Sequence, residues 1–165
     1  MEFTLRPWNI NDLENLVKIA DNPKIANNMM NRFVNPFTIE QGKQFISYAE
    51  GMNPFRIFAI DVNGIAIGAI GIHPQEDIYI KNAELGYWLA EQYWGKGITT
   101  EAIKRILDYG FKTWDLKRIF ARPFGTNIGS QRVLEKAGFT LEARLQNTIF
   151  KNGEYIDELI YAVRK

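Results

Sequence analysis

Two glycines stand one residue apart in Gln92-Tyr93-Trp94-Gly95-Lys96-Gly97, between a strand-like and a helix-like segment. Glycine permits a positive φ and lets a ligand approach the backbone without a Cβ in the way. The first N–H groups of a helix have no partners within the helix, and the helix dipole adds positive potential at the same place. The spacing therefore predicts a backbone anion site, which suits a phosphate or a pyrophosphate.

Glu84 is a second candidate for a chemical role, because it is the only charged residue in the apolar run AELGYWLA. Burial there would raise the pKa of its carboxylate toward the range that is useful for a general base. Two alternatives stay open: a salt-bridged or strand-end glutamate, and loss of the proton to a bound water or through the ligand's own ionisation.

The glycine pair does not match two well-known phosphate loops. A P-loop fails because Ala90 stands where its first glycine belongs and Gly97 stands where a serine or threonine must follow the lysine. The dinucleotide fingerprint G-x-G-x-x-G fails at Thr100. What remains, Gln92 to Gly97, resembles the Q/R-x-x-G-x-G/A pyrophosphate loop of the GNAT acyl-CoA-dependent N-acetyltransferases.

The resemblance extends along the whole chain. Glu84 to Leu89 and Thr100 to Ala102 resemble the flanks of that loop in the branch of ribosomal-protein N-terminal acetyltransferases, the Rim type, and the terminal NGEYIDELIYAV resembles the closing hairpin of this branch. Asn127 to Phe139 is similar to the family's N-x-x-S/A-x-x-L-x-x-x-G-F segment. The resemblance implies an enzyme that moves an acetyl group from acetyl-CoA to a primary amine on a protein N-terminus, an amino acid or a small amine.

The resemblance also implies a set of cofactor-binding residues. The loop and the helix start would hold the pyrophosphate, the strand before them would pair with the amides of pantetheine, and Asn127 would hold the pantetheine arm unless it only caps a helix. Strand residues of this kind are commonly core, and lysines on helices are commonly solvated. The set is Tyr87, Trp88, Leu89, Gln92, Tyr93, Trp94, Gly95, Lys96, Gly97, Ile98, Thr99, Asn127 and Ser130.

In the resembled mechanism the amine loses a proton and attacks the thioester directly in a ternary complex, and the CoA thiolate accepts a proton as it leaves. Glu84 is the candidate base. Many family members carry a tyrosine acid where this chain has Leu134, so Ser130 is the candidate acid, unless it is only a residue of the first helical turn. The chain has no cysteine for a thiol acyl-enzyme.

Hydrophobic periodicity predicts the elements that position these residues, in the order β α α β β β α β α β β. With the resemblance, this order predicts an α/β (α+β) GNAT-like sandwich: a mixed, mostly antiparallel sheet of about seven strands with about four helices. AELGYWLA should be the central strand, Asn63-Gly64 a hairpin turn, and Gly138 a helix end. Asn22 to Phe37 and the hairpin loop Asn147 to Tyr155 are expected to be irregular and to face the acceptor.

Composition sets the remaining limits. A chain of 165 residues with 46% hydrophobic residues predicts one domain, residues 1–165. No cysteine and a single histidine disfavour a metal site, and a net charge of +1 disfavours nucleic acid as a partner. Without a signal-like or membrane-spanning stretch, a cytoplasmic monomer or homodimer is expected. Two rival functions remain: a non-catalytic acyl-CoA-binding or sensing module, and a nucleotide-binding or nucleic-acid-binding domain.

Overall fold

The computed structural model describes residues 1–165, and its seven strands form one sheet in the order β1-β2-β3-β4-β5-β7-β6. β4 and β5 run parallel, whereas β1–β2, β2–β3, β5–β7 and β6–β7 are antiparallel. The predicted mixed, mostly antiparallel sheet is confirmed, with AELGYWLA in its central strand. The strands are β1 (Thr4–Arg6), β2 (Ile57–Val62), β3 (Ile65–Pro74), β4 (Asn82–Leu89), β5 (Arg118–Ala121), β6 (Thr140–Lys151) and β7 (Glu154–Arg164).

Five α-helices accompany the sheet: α1 (Leu13–Ala20), α2 (Pro23–Ala26), α3 (Ile39–Glu50), α4 (Ile98–Thr113) and α5 (Ile128–Lys136). Their ends follow local chemistry. Thr38 and Gln41 form a capping box at the start of α3. Beyond the end of α5, Gly138 has a φ of +95°, which a glycine adopts without a Cβ clash. The structure confirms Gly138 as the end signal of that helix.

α2 corrects the prediction that the segment Asn22 to Phe37 is irregular throughout. The Asn22 side chain accepts a hydrogen bond from the Lys24 N–H at 2.9 Å, and Pro23 occupies the first helical position, where its missing N–H costs little. An asparagine followed by a proline is therefore sufficient to start one helical turn in an otherwise irregular stretch.

The prediction of an irregular hairpin loop from Asn147 to Tyr155 is also wrong, because most of this range is strand. The β6–β7 ladder pairs Phe150 with Tyr155, and only Asn152-Gly153 forms the turn, with φ values of 52° and 81°. Asn63-Gly64, the predicted β2–β3 turn, has nearly the same φ values, 53° and 83°. Asn-Gly is favoured in such two-residue turns because both residues need a positive φ.

The chain divides into two compact units, Met1–Gly71 with Tyr87–Ile98, and Ile72–Gly86 with Thr99–Lys165. In the first unit, Trp8, Leu16, Ile46 and Ala59 lie in one buried cluster. In the second, the fully buried side chains include Ile72, Ile103, Ile106, Leu116, Ile119 and Leu134. No helix is both long enough and apolar enough to cross a membrane. The single-domain organisation stays a prediction.

Candidate functional site

The glycine pair lies directly before α4, where both residues adopt a left-handed backbone. The φ values are 71° at Gly95 and 77° at Gly97, and a Cβ built on either residue would meet no other atom within 4 Å. Ile98, the next residue, begins a 16-residue helix. Open space beside two left-handed glycines at a helix start fits a phosphate group approaching the backbone.

The end of β4 holds this loop in place. The Trp94 indole N–H donates to the Leu89 carbonyl at 2.7 Å, and the Ala90 N–H donates to the Ile67 carbonyl at 2.9 Å. Gly68 makes this approach possible, because a Cβ there would lie 2.4 Å from the Trp88 carbonyl oxygen. The loop is therefore fixed at its root while its glycines stay exposed.

The other predicted cofactor residues of this segment differ in exposure. Gln92, Trp94 and Lys96 are exposed, and the Lys96 ammonium lies 5.2 Å from the centre of the Tyr93 ring. This is a cation–π contact at the surface of the loop. The strand and helix residues are more covered: Tyr87 and Thr99 are half-buried, and Trp88, Leu89 and Ile98 are buried.

Two phenylalanine rings form an aromatic cluster with the Trp88 side chain. The Phe33 ring lies edge-on to Trp88, with ring centres 5.7 Å apart, and Phe37 lies 5.4 Å from Phe33. The Asp21 carboxylate accepts hydrogen bonds from the Asn35 side chain and from the Phe37 N–H, each at 2.9 Å. These two bonds close the base of the segment from Asn22 to Phe37 and hold its aromatic residues against β4.

Glu84, in the second unit, forms a two-pronged ion pair. Arg122 donates from Nε to Glu84 Oε1 at 3.0 Å and from Nη2 to Oε2 at 3.2 Å, and Arg122 Nη1 lies 3.7 Å from Glu158 Oε1. The hydrogen bond from Glu84 raises the pKa of Arg122, although burial opposes the rise. The Glu84 side chain is 25% exposed, so it is half-buried. Of the alternatives for Glu84, the structure shows the salt bridge; a role in proton transfer stays a prediction.

Asn127 and Ser130 meet at the start of α5. The Asn127 Oδ1 accepts a hydrogen bond from the Ser130 N–H at 3.1 Å, which is the predicted helix cap. Ser130 is half-buried in the first turn. The cap fixes the backbone that carries the Ser130 hydroxyl. The positions of the two residues are therefore linked by this hydrogen bond.

The structure therefore places the predicted residues in two groups. Tyr87 to Ile98 belong to the first compact unit, whereas Glu84, Thr99, Asn127 and Ser130 belong to the second. In the second unit, the connection from β5 to α5 carries both Arg122 and Asn127. This connection is fixed to β7, because the Gly125 N–H donates to the Asp157 carbonyl at 2.7 Å.

Four residues of these groups were not predicted from the sequence: Gly68, Glu91, Arg122 and Glu158. Arg122 had a signal, since a lone charge in the apolar run of Glu84 requires an opposite charge nearby. Glu158 had none, because its partner, Arg122, lies on a separate element. Gly68 and Glu91 had none, because their partners, Trp88 for the first and Asn22 for the second, come from distant parts of the chain.

The chain is similar in sequence to several N-acetyltransferases. The probable N-acetyltransferase YjcK of Bacillus subtilis (strain 168) is 32% identical over 167 residues, which cover 96% of this chain and 92% of the relative. The ribosomal-protein-serine acetyltransferase of Escherichia coli (strain K12) is 32% identical over 107 residues, or 65% of this chain and 59% of the relative. The predicted likeness to the ribosomal-protein branch is confirmed.

Solved structures show the same fold. An acetyltransferase of the GNAT family from Bacillus anthracis has a TM-score of 0.85 and 26% identity, covering 99% of this chain and 95% of its own. The spermidine N-acetyltransferase of Vibrio cholerae, solved with CoA and spermine, has a TM-score of 0.81 and 25% identity, covering 98% and 95%. The acetyltransferase (GNAT) domain model matches residues 2–140. The chain belongs to the GNAT family of acetyl-CoA-dependent N-acetyltransferases.

Proposed function

We propose that the chain transfers the acetyl group of acetyl-CoA to a primary amine by direct attack in a ternary complex. The observation that carries this proposal is the pair of left-handed glycines, Gly95 and Gly97, with open space beside them at the start of α4. When bound, acetyl-CoA supplies an acetyl thioester that is activated toward amines. The chain supplies binding, orientation and two proton transfers.

Binding rests on the loop. The backbone N–H groups around Gly97 and the first turn of α4 would donate to the pyrophosphate, with the helix dipole adding to the attraction. Lys96 carries a positive charge on the exposed side of the loop, where it can contact a phosphate by leaving the Tyr93 ring. Asn127 would hold the pantetheine arm with the part of its amide that does not cap α5.

The proton transfers involve the second unit. Glu84 would take the proton from the attacking amine, directly or through a water, and Ser130 would donate a proton to the departing sulfur. Arg122 fixes the orientation of the Glu84 carboxylate through two hydrogen bonds. An acid or base positioned in this way typically raises the reaction rate by ~10²–10⁴-fold.

The acceptor is proposed as a class, a primary amine on a peptide N-terminus, an amino acid or a small amine. The relatives support this breadth, since one is a ribosomal-protein-serine acetyltransferase and another a spermidine N-acetyltransferase solved with spermine. The segment from Asn22 to Phe37 would help to choose among these amines, because its Phe33 packs on Trp88.

Turnover of acetyl-CoA with a panel of amines and N-terminal peptides tests the proposal, with Glu84→Gln compared against Glu142→Gln. Glu142 is a matched control, because its side chain is 21% exposed, against 25% for Glu84, and is also held by arginine. Arg118 donates to it from Nε at 3.0 Å and Nη2 at 2.6 Å, and Arg164 forms a further ion pair with it. We expect Glu84→Gln to lower kcat ~10²–10⁴-fold with CoA affinity retained. Glu142→Gln should keep its turnover.

Two results would contradict the proposal in different ways. If the wild-type protein bound CoA but acetylated no amine of the panel, the chain would be a binding or sensing module. If Glu84→Gln turned over as fast as Glu142→Gln, the base would be a water or another group, and Glu84 would be only an ion-paired strand residue.

A further inference from the structure

Glu91 joins two parts of the first unit that are far apart in sequence. It directly precedes Gln92, the first residue of the phosphate loop, and its carboxylate contacts the start of α2. α2 opens the segment from Asn22 to Phe37, which is the proposed acceptor side. One side chain thus links the loop that would bind the cofactor to the segment that would choose the amine.

The link consists of two bonds with separate donors. The Asn22 Nδ2 donates to Glu91 Oε2 at 2.9 Å, and the Lys24 ammonium forms an ion pair with Oε1. The hydrogen bond from Lys24, and then that from Asn22, lowers the pKa of Glu91, so the carboxylate is charged at neutral pH. Asn22 also caps α2 through the Lys24 N–H, so the residues that bind Glu91 are those that start the helix.

Stability alone is a weak reason for this arrangement. The side chains of Lys24 and Glu91 are 64% and 39% exposed, and exposed ion pairs contribute little to the free energy of unfolding. The segment is held on the unit in other ways, by the Phe33 contact with Trp88 and by the bonds to Asp21. What Glu91 adds is a connection specifically to the phosphate loop.

We propose that Glu91 is a positioning residue that couples occupancy of the phosphate loop to the order of α2. Ala90 is bonded to Ile67, and the Trp94 indole to Leu89, so a ligand held at Gly95 and Gly97 would further restrict the short stretch between them, which includes Glu91. An immobilised carboxylate holds Asn22 and Lys24 more firmly. This coupling rests on the proposed function, and thermodynamic linkage requires that amine binding at the segment in turn strengthens cofactor binding.

Hydrogen–deuterium exchange of the full-length protein, with CoA as the probe, tests the coupling without knowledge of the amine. The N–H groups of Ile25, Ala26 and Asn27 are hydrogen-bonded within α2, so their exchange reports its opening. In the wild-type protein, CoA should slow exchange both in residues 92–99 and at these three amides, the latter by about fivefold or more, the lower end of typical coupling between sites.

Three variants sharpen this test. Glu91→Ala should keep the protection of residues 92–99 by CoA but lose the protection at the α2 amides, and Lys24→Met should lose part of it. Asp108→Asn is the matched control, because it removes the exposed ion pair with Lys112 at 2.7 Å, which has no link to the segment. It should behave as the wild-type protein does. Each variant is folded if its exchange rates in α3 and β2, measured without CoA, match those of the wild-type protein.

The outcomes separate this inference from the proposed function. If CoA protected residues 92–99 but not α2 in the wild-type protein, or protected α2 equally in Glu91→Ala, the coupling would be overturned while the loop assignment stood. If CoA left residues 92–99 unprotected in the wild-type protein, the proposed cofactor role of the loop would itself fail, and the coupling with it.

Discussion

The helices α4 and α5 begin in opposite ways. Directly before α5 stands Asn127, whose side chain accepts the Ser130 N–H at 3.1 Å. Directly before α4 stands Gly97, which has no side chain to cap anything and has a φ of 77°. A helix start with its own side-chain acceptor already has a hydrogen bond to one of its free N–H groups, whereas a helix start without one is suited to an external anion. Substitutions at the two starts should therefore differ in their main effect. At the α4 start we expect a loss of ligand affinity, and at the α5 start a loss of turnover from Ser130 and a loss of the helix cap from Asn127.

The largest effect is expected from Ser130→Ala, which removes the proposed acid while leaving the capped N–H in place. We expect kcat to fall by ~10²–10⁴-fold, because the hydroxyl acts on the sulfur only as the bond breaks. CoA affinity and thermal stability should change little. Single-turnover kinetics measure the chemical step, and Ser47→Ala, a serine within α3, serves as the control. An undiminished single-turnover rate would reduce Ser130 to a residue of the first helical turn.

A smaller effect, on CoA affinity rather than on the chemical step, is expected from Gly97→Val at the α4 start. Gly64→Val is the matched control, since the φ values are 77° and 83° and neither Cβ would meet an atom within 4 Å. Both variants should lose similar stability from the left-handed backbone. Only Gly97→Val should lose CoA affinity, on the order of 2 kcal/mol or more, through steric exclusion and lost charge-assisted hydrogen bonds. Calorimetric titration with CoA measures these affinities. Equal affinities of the two variants would show that the loop is a turn that does not bind CoA.

The smallest effect is expected from Asn127→Ala, compared with Thr38→Ala at the start of α3. Each variant removes one helix cap, so each should lower the free energy of unfolding by about 1 kcal/mol in urea denaturation. Asn127→Ala should in addition weaken CoA binding, because the Asn127 amide would also contact the pantetheine arm. Identical behaviour of the two variants in every assay would leave Asn127 as a cap only.

Local signals carried most of the fold. Asn63-Gly64 and Gly138 each act within a few residues, through a positive φ, and each lies where the sequence predicts. The two errors were also local: Asn22-Pro23 and Asn152-Gly153 carry the same kinds of signal. Reading those pairs by the same rules would have given α2 and the long β6–β7 hairpin.

The site was only partly predictable, because some of its geometry depends on contacts over long sequence distances. The loop and the α5 cap follow from adjacent residues. The partner of Glu84 does not, since Arg122 is 38 residues away and reaches it through the parallel β4–β5 pairing. Glu91 and Lys24 are 67 residues apart. Periodicity and spacing specify which residues share an element, but not which side chains of separate elements meet.

The open start of α4 is the proposed binding site for the pyrophosphate of acetyl-CoA. The most direct measurement compares the affinities of CoA and of pantetheine, which lacks the pyrophosphate, for the wild-type protein and for Gly97→Val, by calorimetric titration. We expect CoA to bind the wild-type protein much more tightly than pantetheine does, and Gly97→Val to remove most of this difference by weakening CoA binding alone. Equal weakening of both ligands, or an unchanged preference for CoA in Gly97→Val, would show that the α4 start does not bind the pyrophosphate.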